Sequence, residues 1–393
     1  MSLFFIFAIM ILSIIHGTVG LRIIPYLNLS HNIKIVTWCC IALLAALPII
    51  PIILRSKGFE DEAVDWFSWA GYLSLGFFVL TFLAVVTKDL IYLAIGLLTK
   101  ITAAIGSPPD PTNPGRRDFI QKILSISIVT TTSVSTIAGL YAARKGATIM
   151  KTTVPIKGLD KDLSGMTIAQ VSDLHIGPTI KKGYVEEVVE QVNRLNPDII
   201  AITGDLVDGS VEYLSKHVEP IKDLHANIGK YFVTGNHEYY SGVDQWLDKT
   251  DNYGLTNLID SHEIITKDSG SITLGGVTDY RSSSIKPEHK SDPAIAFYGA
   301  PENIPKILLA HQPWSIFDAH KTGADLQLSG HTHGGQFWPF VYAVRMANPY
   351  TSGLHDHDGT WIYVNRGTGY WGPPMRLGVE SEITLVKLET KKS

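Results

Sequence analysis

Residues 166–175 read Met166-Thr167-Ile168-Ala169-Gln170-Val171-Ser172-Asp173-Leu174-His175. A run rich in β-branched and apolar residues stops at an Asp-x-His, so a strand over Met166–Val171 delivers a carboxylate and an imidazole at its carboxyl end. The same grammar recurs downstream. Asp198–Thr203 leads to Gly204-Asp205, Tyr231–Thr234 to Gly235-Asn236-His237-Glu238, Ile307–Ala310 to His311, and Leu326–Ser329 to Gly330-His331-Thr332-His333. Between the first two runs, Val185, Val188, Val189, Val192 and Leu195 recur at helical spacing until Asn196-Pro197 stops them. A second helix is expected over Val211–Leu224, a strand over Ile272–Val277 with Asp279 beyond it, and closing strands at Trp361–Val364 and Ile383–Leu388. Strands interleaved with helices predict an α/β domain. Ligands outside the carboxyl ends of strands are what an open α/β sheet offers. After residue 260 strands dominate, which predicts a second sheet packed on the first.

Taken singly these clusters are weak, because an aspartate at a strand end often only caps a helix and a lone His311 is ordinary core chemistry. Their conjunction is what points to a reaction. Oxygen and imidazole ligands delivered repeatedly to one place suit two adjacent divalent metals, which stabilise the attacking and leaving oxygens in displacement at phosphorus. Alternate residues of extended backbone point to opposite faces, so His331 and His333 suit a turn lying between two ions. Gly330, Gly334 and Gly335 permit close approach there, and Gly204 and Gly235 do the same before their ligands.

The amino-terminal third has a different solvent. Crossing a bilayer core takes roughly 20 apolar residues, and Leu3–Val19, Ile35–Leu54, Trp66–Val86 and Asp89–Ile105 are candidates. The last two are separated only by Thr87-Lys88, which predicts a tight hairpin. A proline-rich loop with paired arginines is expected over residues 107–118, and a fifth span over 119–145. With the amino terminus inside, the cytoplasmic loops carry Arg55, Lys57, Lys100, Arg116 and Arg117, and five spans place everything after about residue 145 outside the cytoplasm; Arg144 and Lys145 argue the other way, and without the fifth crossing the domain would face the cytoplasm. Arg116-Arg117-Asp118-Phe119-Ile120 also looks like a twin-arginine export signal. Cys39 and Cys40 are adjacent in an apolar run and offer no disulfide framework. A net charge of −4 and the lack of a basic stripe exclude a nucleic-acid partner.

The motifs DLH, GD, GNHE, H and GHTH resemble the signature of the calcineurin-like metallophosphoesterase superfamily over roughly residues 155–390. The tail, Tyr363–Gly369 followed by Gly372-Pro373-Pro374-Met375-Arg376-Leu377, is similar to that of the membrane-tethered bacterial phosphodiesterase branch with a multi-span amino-terminal region. The resemblance implies a four-layer α/β/β/α sandwich over residues 146–393, preceded by an all-α membrane region over residues 1–106. It implies that Asp173, His175 and His333 bind one metal, that Asn236, His311 and His331 bind another, and that Asp205 bridges them. His237 would be the catalytic residue that protonates the leaving oxygen, as an imidazole with an unperturbed pKa of ~6.5 can, or that stabilises the transition state. Glu238 would orient a histidine or fix the turn. The ions implied are two divalent metals, of manganese, iron or zinc, since mixed N/O ligation suits each.

Two other features carry expectations. His355-Asp356-His357-Asp358-Gly359 mimics a further metal site, but Asp-Gly before a strand is turn chemistry. Gly335–Tyr342 is apolar and aromatic, and reads as a strand of the second sheet or as a platform for lipid or nucleotide. Arg366 and Arg376 could meet substrate phosphate or brace loops. The function expected is an integral-membrane, extracytoplasmic phosphodiesterase or phosphatase acting on a membrane-associated or lipid-linked nucleotide substrate, with the bilayer as its partner. The competing readings are a membrane sensor or transporter with a regulatory metal domain, and a metal-stabilised binding module without turnover.

Overall fold

The computed structural model describes residues 3–105 and 114–391. The chain divides into two compact units, Met1–Ala138 and Gly139–Ser393.

The first unit is helical: α1 (Leu3–Ile23), α2 (His31–Ala46), α3 (Ile49–Ser56), α4 (Glu62–Ile105) and most of α5 (Pro114–Arg144). Pro48 and the loop at Gly58 divide the early helices, but Thr87-Lys88 does not divide α4. Neither residue breaks a helix, and the charges there are neutralised locally, with Asp89 2.9 Å from Arg22 and 3.5 Å from Lys88. The expected hairpin is therefore one continuous helix of 44 residues, roughly 66 Å at 1.5 Å per residue, about twice a bilayer core. Among the described residues four helical stretches, not five, are long and apolar enough to cross: Ile6–Leu27, His31–Ser56, Glu62–Ala103 and Gly115–Arg144. The five-crossing count that put the enzyme outside the cytoplasm loses its hairpin. Residues 107–113 of the expected proline-rich loop lie outside the described residues, and Arg116 and Arg117 belong to the first turn of α5 rather than to that loop.

The described residues of the second unit form twelve strands in two six-stranded sheets. The first sheet has the order β1-β12-β2-β3-β4-β5, with β1 (Thr148–Ile156), β2 (Thr167–Val171), β3 (Ile199–Thr203), β4 (Gly229–Val233), β5 (Thr256–Asn257) and β12 (Glu382–Thr390). The second has the order β10-β11-β9-β8-β7-β6, with β6 (Ser261–Lys267), β7 (Gly270–Gly276), β8 (Lys306–Leu309), β9 (Leu326–Ser329), β10 (Gly353–His357) and β11 (Thr360–Val364). Against the outer face of the first sheet lie α6 (Lys182–Arg194), α7 (Val211–Val218) and α9 (Val243–Asn252), which follows the short α8 (Asn236–Ser241). The valine stripe of α6 packs there with Ile200, Ile202 and Trp246. Ile168, Ala201, Val233 and Val386 from the first sheet meet Leu274, Ile307, Leu309 and Leu328 from the second, which forms the core between the sheets. α10 (Pro293–Ala296) and α11 (Ile316–Ala319) cover the outer face of the second sheet. The four-layer α/β/β/α sandwich is as expected.

Three local differences have plain causes. Pro220 ends α7 early, and the second expected helix finishes as a 3-10 turn over Glu219–Asp223. β1 pairs in parallel with β12 at the edge, a pairing between chain segments too far apart for local pattern to announce. Gly335–Tyr342 is not a strand: a loop leads into α12 (Phe340–Ala347), which begins directly after Pro339.

Candidate metal centre

The ligand residues emerge where neighbouring strands end together. Asp173 and His175 follow β2, Asp205 follows β3, and Asn236 opens α8 just beyond β4; β2, β3 and β4 are parallel neighbours. His311 follows β8, and His331 and His333 follow the parallel neighbour β9. Gln170 Nε2 ties the two edges together, donating to Thr203 Oγ1 and to the Ser329 carbonyl, both at 2.9 Å.

Asp173, His175 and His333 converge in one group, and Asp205, His311 and His331 in another, each with its ligand atoms within 4.8 Å of one another. His175 Nε2 and His333 Nε2 are 3.1 Å apart, and His333 Nε2 is 3.4 Å from Asp173 Oδ1. In the second group His311 Nε2 is 3.1 Å from Asp205 Oδ2 and 3.2 Å from His331 Nδ1. Asp205 Oδ2 also lies 3.8 Å from His175 Nε2, so one carboxylate oxygen stands between the groups. Asn236 Oδ1 is buried and accepts no hydrogen bond.

The protons on the histidines are placed from behind. His311 Nδ1 donates to the Thr203 carbonyl at 2.8 Å, and His175 Nδ1 to Asp208 Oδ1 at 3.0 Å, which leaves each Nε2 lone pair facing inward. Asp173 takes the His331 backbone N–H at 3.0 Å on both oxygens. Burial raises the Asp173 carboxyl pKa. Burial would raise Asp205 also, but His311 and His237 outweigh it and hold that carboxylate ionised. Burial, then the neighbouring His311, lowers His331 to about 3. Burial, then His175 and Arg376, lowers His333 well below its ordinary value. His331 and His333 are thus held neutral, whereas Asp205 outweighs burial at His311 and holds its pKa well above the ordinary value.

The backbone is strained at the ligands themselves. Asp173, His175, Asp205, His331 and His333 all have left-handed φ, between 48° and 70°. Each such residue costs about 1–3 kcal/mol and persists where surroundings over-determine it. Close approach explains two glycines: a Cβ on Gly330 would sit 2.2 Å from Asp173 Oδ2, and one on Gly235 2.2 Å from Asp205 Oδ1.

The donor set fits a pair of divalent ions. Nitrogens sharing one ion at about 2.0–2.1 Å stand roughly 2.9–3.4 Å apart, the spacing of His175 and His333. An unsatisfied buried amide oxygen at Asn236 is what an oxygen ligand looks like without its ion.

Sequence reading missed the supports. Asp208 is 2.6 Å from His237 Nδ1 and also holds His175, so one carboxylate orients both rings. Only its place three residues after Asp205 hinted at this. Burial would lower His237, but Asp208 and then Asp205 raise it to about 10. Glu238 fixes the turn, accepting from the backbone of Gly235 at 2.7 Å, Leu206 at 2.8 Å and Asp205 at 3.0 Å. Arg376 is 1% exposed and donates to the carbonyls of His333, Arg366, Gly367 and Gly369; it braces loops, as does Arg366 through Glu382. His355 and His357 bond Ser352 O and Tyr350 Oη, and Asp356 closes the turn at Gly359. That cluster is turn chemistry.

Two adjacent ligand groups at the strand ends of an α/β/β/α sandwich define a class, and the comparisons agree. The model of the calcineurin-like phosphoesterase family matches residues 166–335. The chain belongs to the calcineurin-like metallophosphoesterase family: it is a metal-dependent phosphoester hydrolase preceded by several apolar helices. It is similar to a transmembrane protein with metallophosphoesterase domain from Danio rerio, 32% identical over 337 residues, 84% of this chain and 75% of that one. The protein of the same description from Bos taurus is 36% identical over 66% of this chain and 61% of its own length. A metallophosphoesterase of Helicobacter pylori is 38% identical over 64% of this chain and 67% of its own length.

Proposed function

We propose that this protein is a membrane-anchored dinuclear phosphodiesterase whose substrate is a membrane-associated phosphate ester, of phospholipid or nucleotide-lipid type. The observation that carries the reading is Asp205 Oδ2 standing between the two histidine-bearing groups. Asp173, His175 and His333 would hold one ion, Asn236, His311 and His331 the other, with Asp205 shared between the two groups. Bound there, the pair of ions supplies Lewis acidity and a nucleophile at neutral pH. His237 is hydrogen-bonded through Nδ1 to Asp208, which leaves Nε2 to carry a proton to the departing oxygen. An exposed Trp371 stacks edge-on against His237, with centroids 5.5 Å apart, and supports an apolar portion in the substrate.

For the side of the membrane, Arg116 and Arg117 at the start of α5 support a cytoplasmic start to that span and an extracytoplasmic catalytic unit. A membrane-impermeant thiol reagent on Lys161→Cys in intact cells, with Cys39 and Cys40 replaced by alanine, tests this: labelling without permeabilisation is expected, and labelling only after it contradicts the placing.

The experiment for the activity is hydrolysis of bis-p-nitrophenyl phosphate by the detergent-solubilised chain with Mn²⁺. Turnover abolished by Asp205→Asn and reduced by His237→Ala is expected. No turnover with Mn²⁺, Fe²⁺ or Zn²⁺ would favour a binding module.

A further inference from the structure

The last six residues of the span helix α5, Gly139–Arg144, belong to the catalytic unit. There the Gly139 carbonyl accepts from the Arg376 backbone N–H at 2.9 Å, Met375 packs where a Cβ on Gly139 would reach, and Arg144 Nη1 donates to the Thr179 carbonyl at 3.2 Å. The loop Trp371–Leu377 is therefore fastened to the end of an apolar helix of membrane-spanning length. That loop is also the rim of the metal centre. Gln336 exchanges hydrogen bonds with Trp371 O and N at 2.9 and 3.0 Å and donates to Pro373 O at 3.0 Å, and Trp338 N donates to Leu377 O at 2.9 Å. The segment running from Gln336 into α12 is thus held beside the end of α5.

What this segment shows to solvent is unusual for a water-facing surface. Trp338 is 56% exposed, Tyr342 58%, Met346 90% and Trp371 53%. Residues 334–354 contain no acidic side chain and a single basic one, Arg345. An exposed patch of this kind marks an interaction site. Tryptophan and tyrosine concentrate where bilayer meets water, and a lone cation without acidic neighbours suits anionic headgroups.

We propose that α12, with Trp338 and Trp371, lies in the headgroup region of the bilayer that α5 crosses and presents the metal centre to phosphate esters of lipids in that leaflet. The occupant is a lipid surface because the patch is continuous, through Trp371–Leu377, with the end of the spanning helix. Eight residues make a helix of only about 12 Å, too short to hold a membrane alone. Tethered beside a span it needs only shallow contact, of the 5–10 Å depth usual for interfacial helices. The substrate part of this proposal rests on the phosphoesterase reading above; the surface part does not.

The test uses the full chain, with Cys39→Ala and Cys40→Ala, reconstituted in phosphatidylcholine–phosphatidylglycerol vesicles. A spin label on Met346→Cys is compared with one on Lys161→Cys. Lys161 lies just beyond the far end of β1, which begins four residues after α5 and extends roughly 26 Å. Oxygen should broaden the 346 label strongly and a water-soluble nickel chelate weakly, with the reverse at 161. Equal chelate access at both sites overturns the proposal. A Tyr342→Asp/Met346→Asp chain should hydrolyse soluble bis-p-nitrophenyl phosphate at the wild-type rate but vesicle phospholipid at least ten-fold more slowly. Equal lipid turnover by variant and wild type overturns the presentation of lipid. If the wild type hydrolyses neither compound, the phosphoesterase reading fails, and the label alone judges the surface.

Discussion

Asp208 Oδ1 lies 2.6 Å from His237 Nδ1, and the same oxygen takes the Nδ1 proton of the metal-facing His175 at 3.0 Å. One carboxylate thus orients the ring proposed to move a proton and a ring proposed to meet an ion. It is delivered by parallel pairing that outlasts the strands: His175, Ile176 and Asp208 continue the β2–β3 register through Asp205 O, Leu206 O and Ile176 O.

Asp208→Asn should lower kcat on the order of 10²-fold, the lower end of what general acid catalysis supplies. The sign of the pH effect follows from the pair. Burial alone lowers His237, and Asp208 with Asp205 raises it, so removing the Asp208 charge lowers the imidazolium pKa. With His237 proposed to act in its acid form, the alkaline limb of the kcat profile should move to lower pH. An unmoved limb would remove His237 from the proton transfer.

Glu238 accepts four backbone N–H groups, those of Asp205, Leu206, Val207 and Gly235, from the turns that carry Asp205 and Asn236. Glu238→Gln turns an amide N–H₂ toward those donors and should weaken Mn²⁺ binding about 10–100-fold. Equilibrium dialysis against Mn²⁺ reads this directly. The wild-type affinity in the variant would make Glu238 a bystander.

Gly330→Ala would bring a Cβ within 2.0 Å of Ser172 Oγ and 2.2 Å of Asp173 Oδ2. The neighbours are buried and cannot retreat without moving a ligand, so a cost of about 1–3 kcal/mol is expected, with loss of the ion held by Asp173. Thermal melts with and without Mn²⁺ should show a lower midpoint and a smaller metal-induced rise. A melt matching the wild type in both would contradict the close packing.

How much of this could be read from the chain follows the range of each interaction. The strand before Asp173 and the valine stripe of α6 are written in periods of two and 3.6, and both stand where expected. The candidate ligand residues are legible in the same way, because each sits at the end of such a run. Asp208, Arg376 and the β1–β12 pairing depend on partners distant in sequence, and no local pattern announces them. Thr87-Lys88 misled for a different reason: a polar pair in an apolar run looks like a turn until Arg22 and Lys88 are seen beside Asp89.

Asp198 at the start of β3 accepts from Lys267 Nζ and Thr167 N, both at 2.9 Å. Burial would raise its pKa, but Lys267 and Thr167 outweigh it and lower it. A depressed carboxylate stabilises the fold above its unfolded value of about 3.9 and loses that contribution as pH falls through the folded value. The melting difference between wild type and Asp198→Asn should be present at pH 7 and shrink as pH falls below about 4. A constant difference would mean that the pair contributes no charge interaction.

The central claim is a paired-ion centre built on Asp205. The most direct measurement is the metal content of the purified full chain after Mn²⁺ loading and removal of free ion, together with its electron paramagnetic resonance spectrum. Two Mn²⁺ per chain, with the multiline signal of a coupled pair that disappears in Asp205→Asn, is the result predicted. One ion per chain, or two uncoupled ions unchanged by Asp205→Asn, would contradict it.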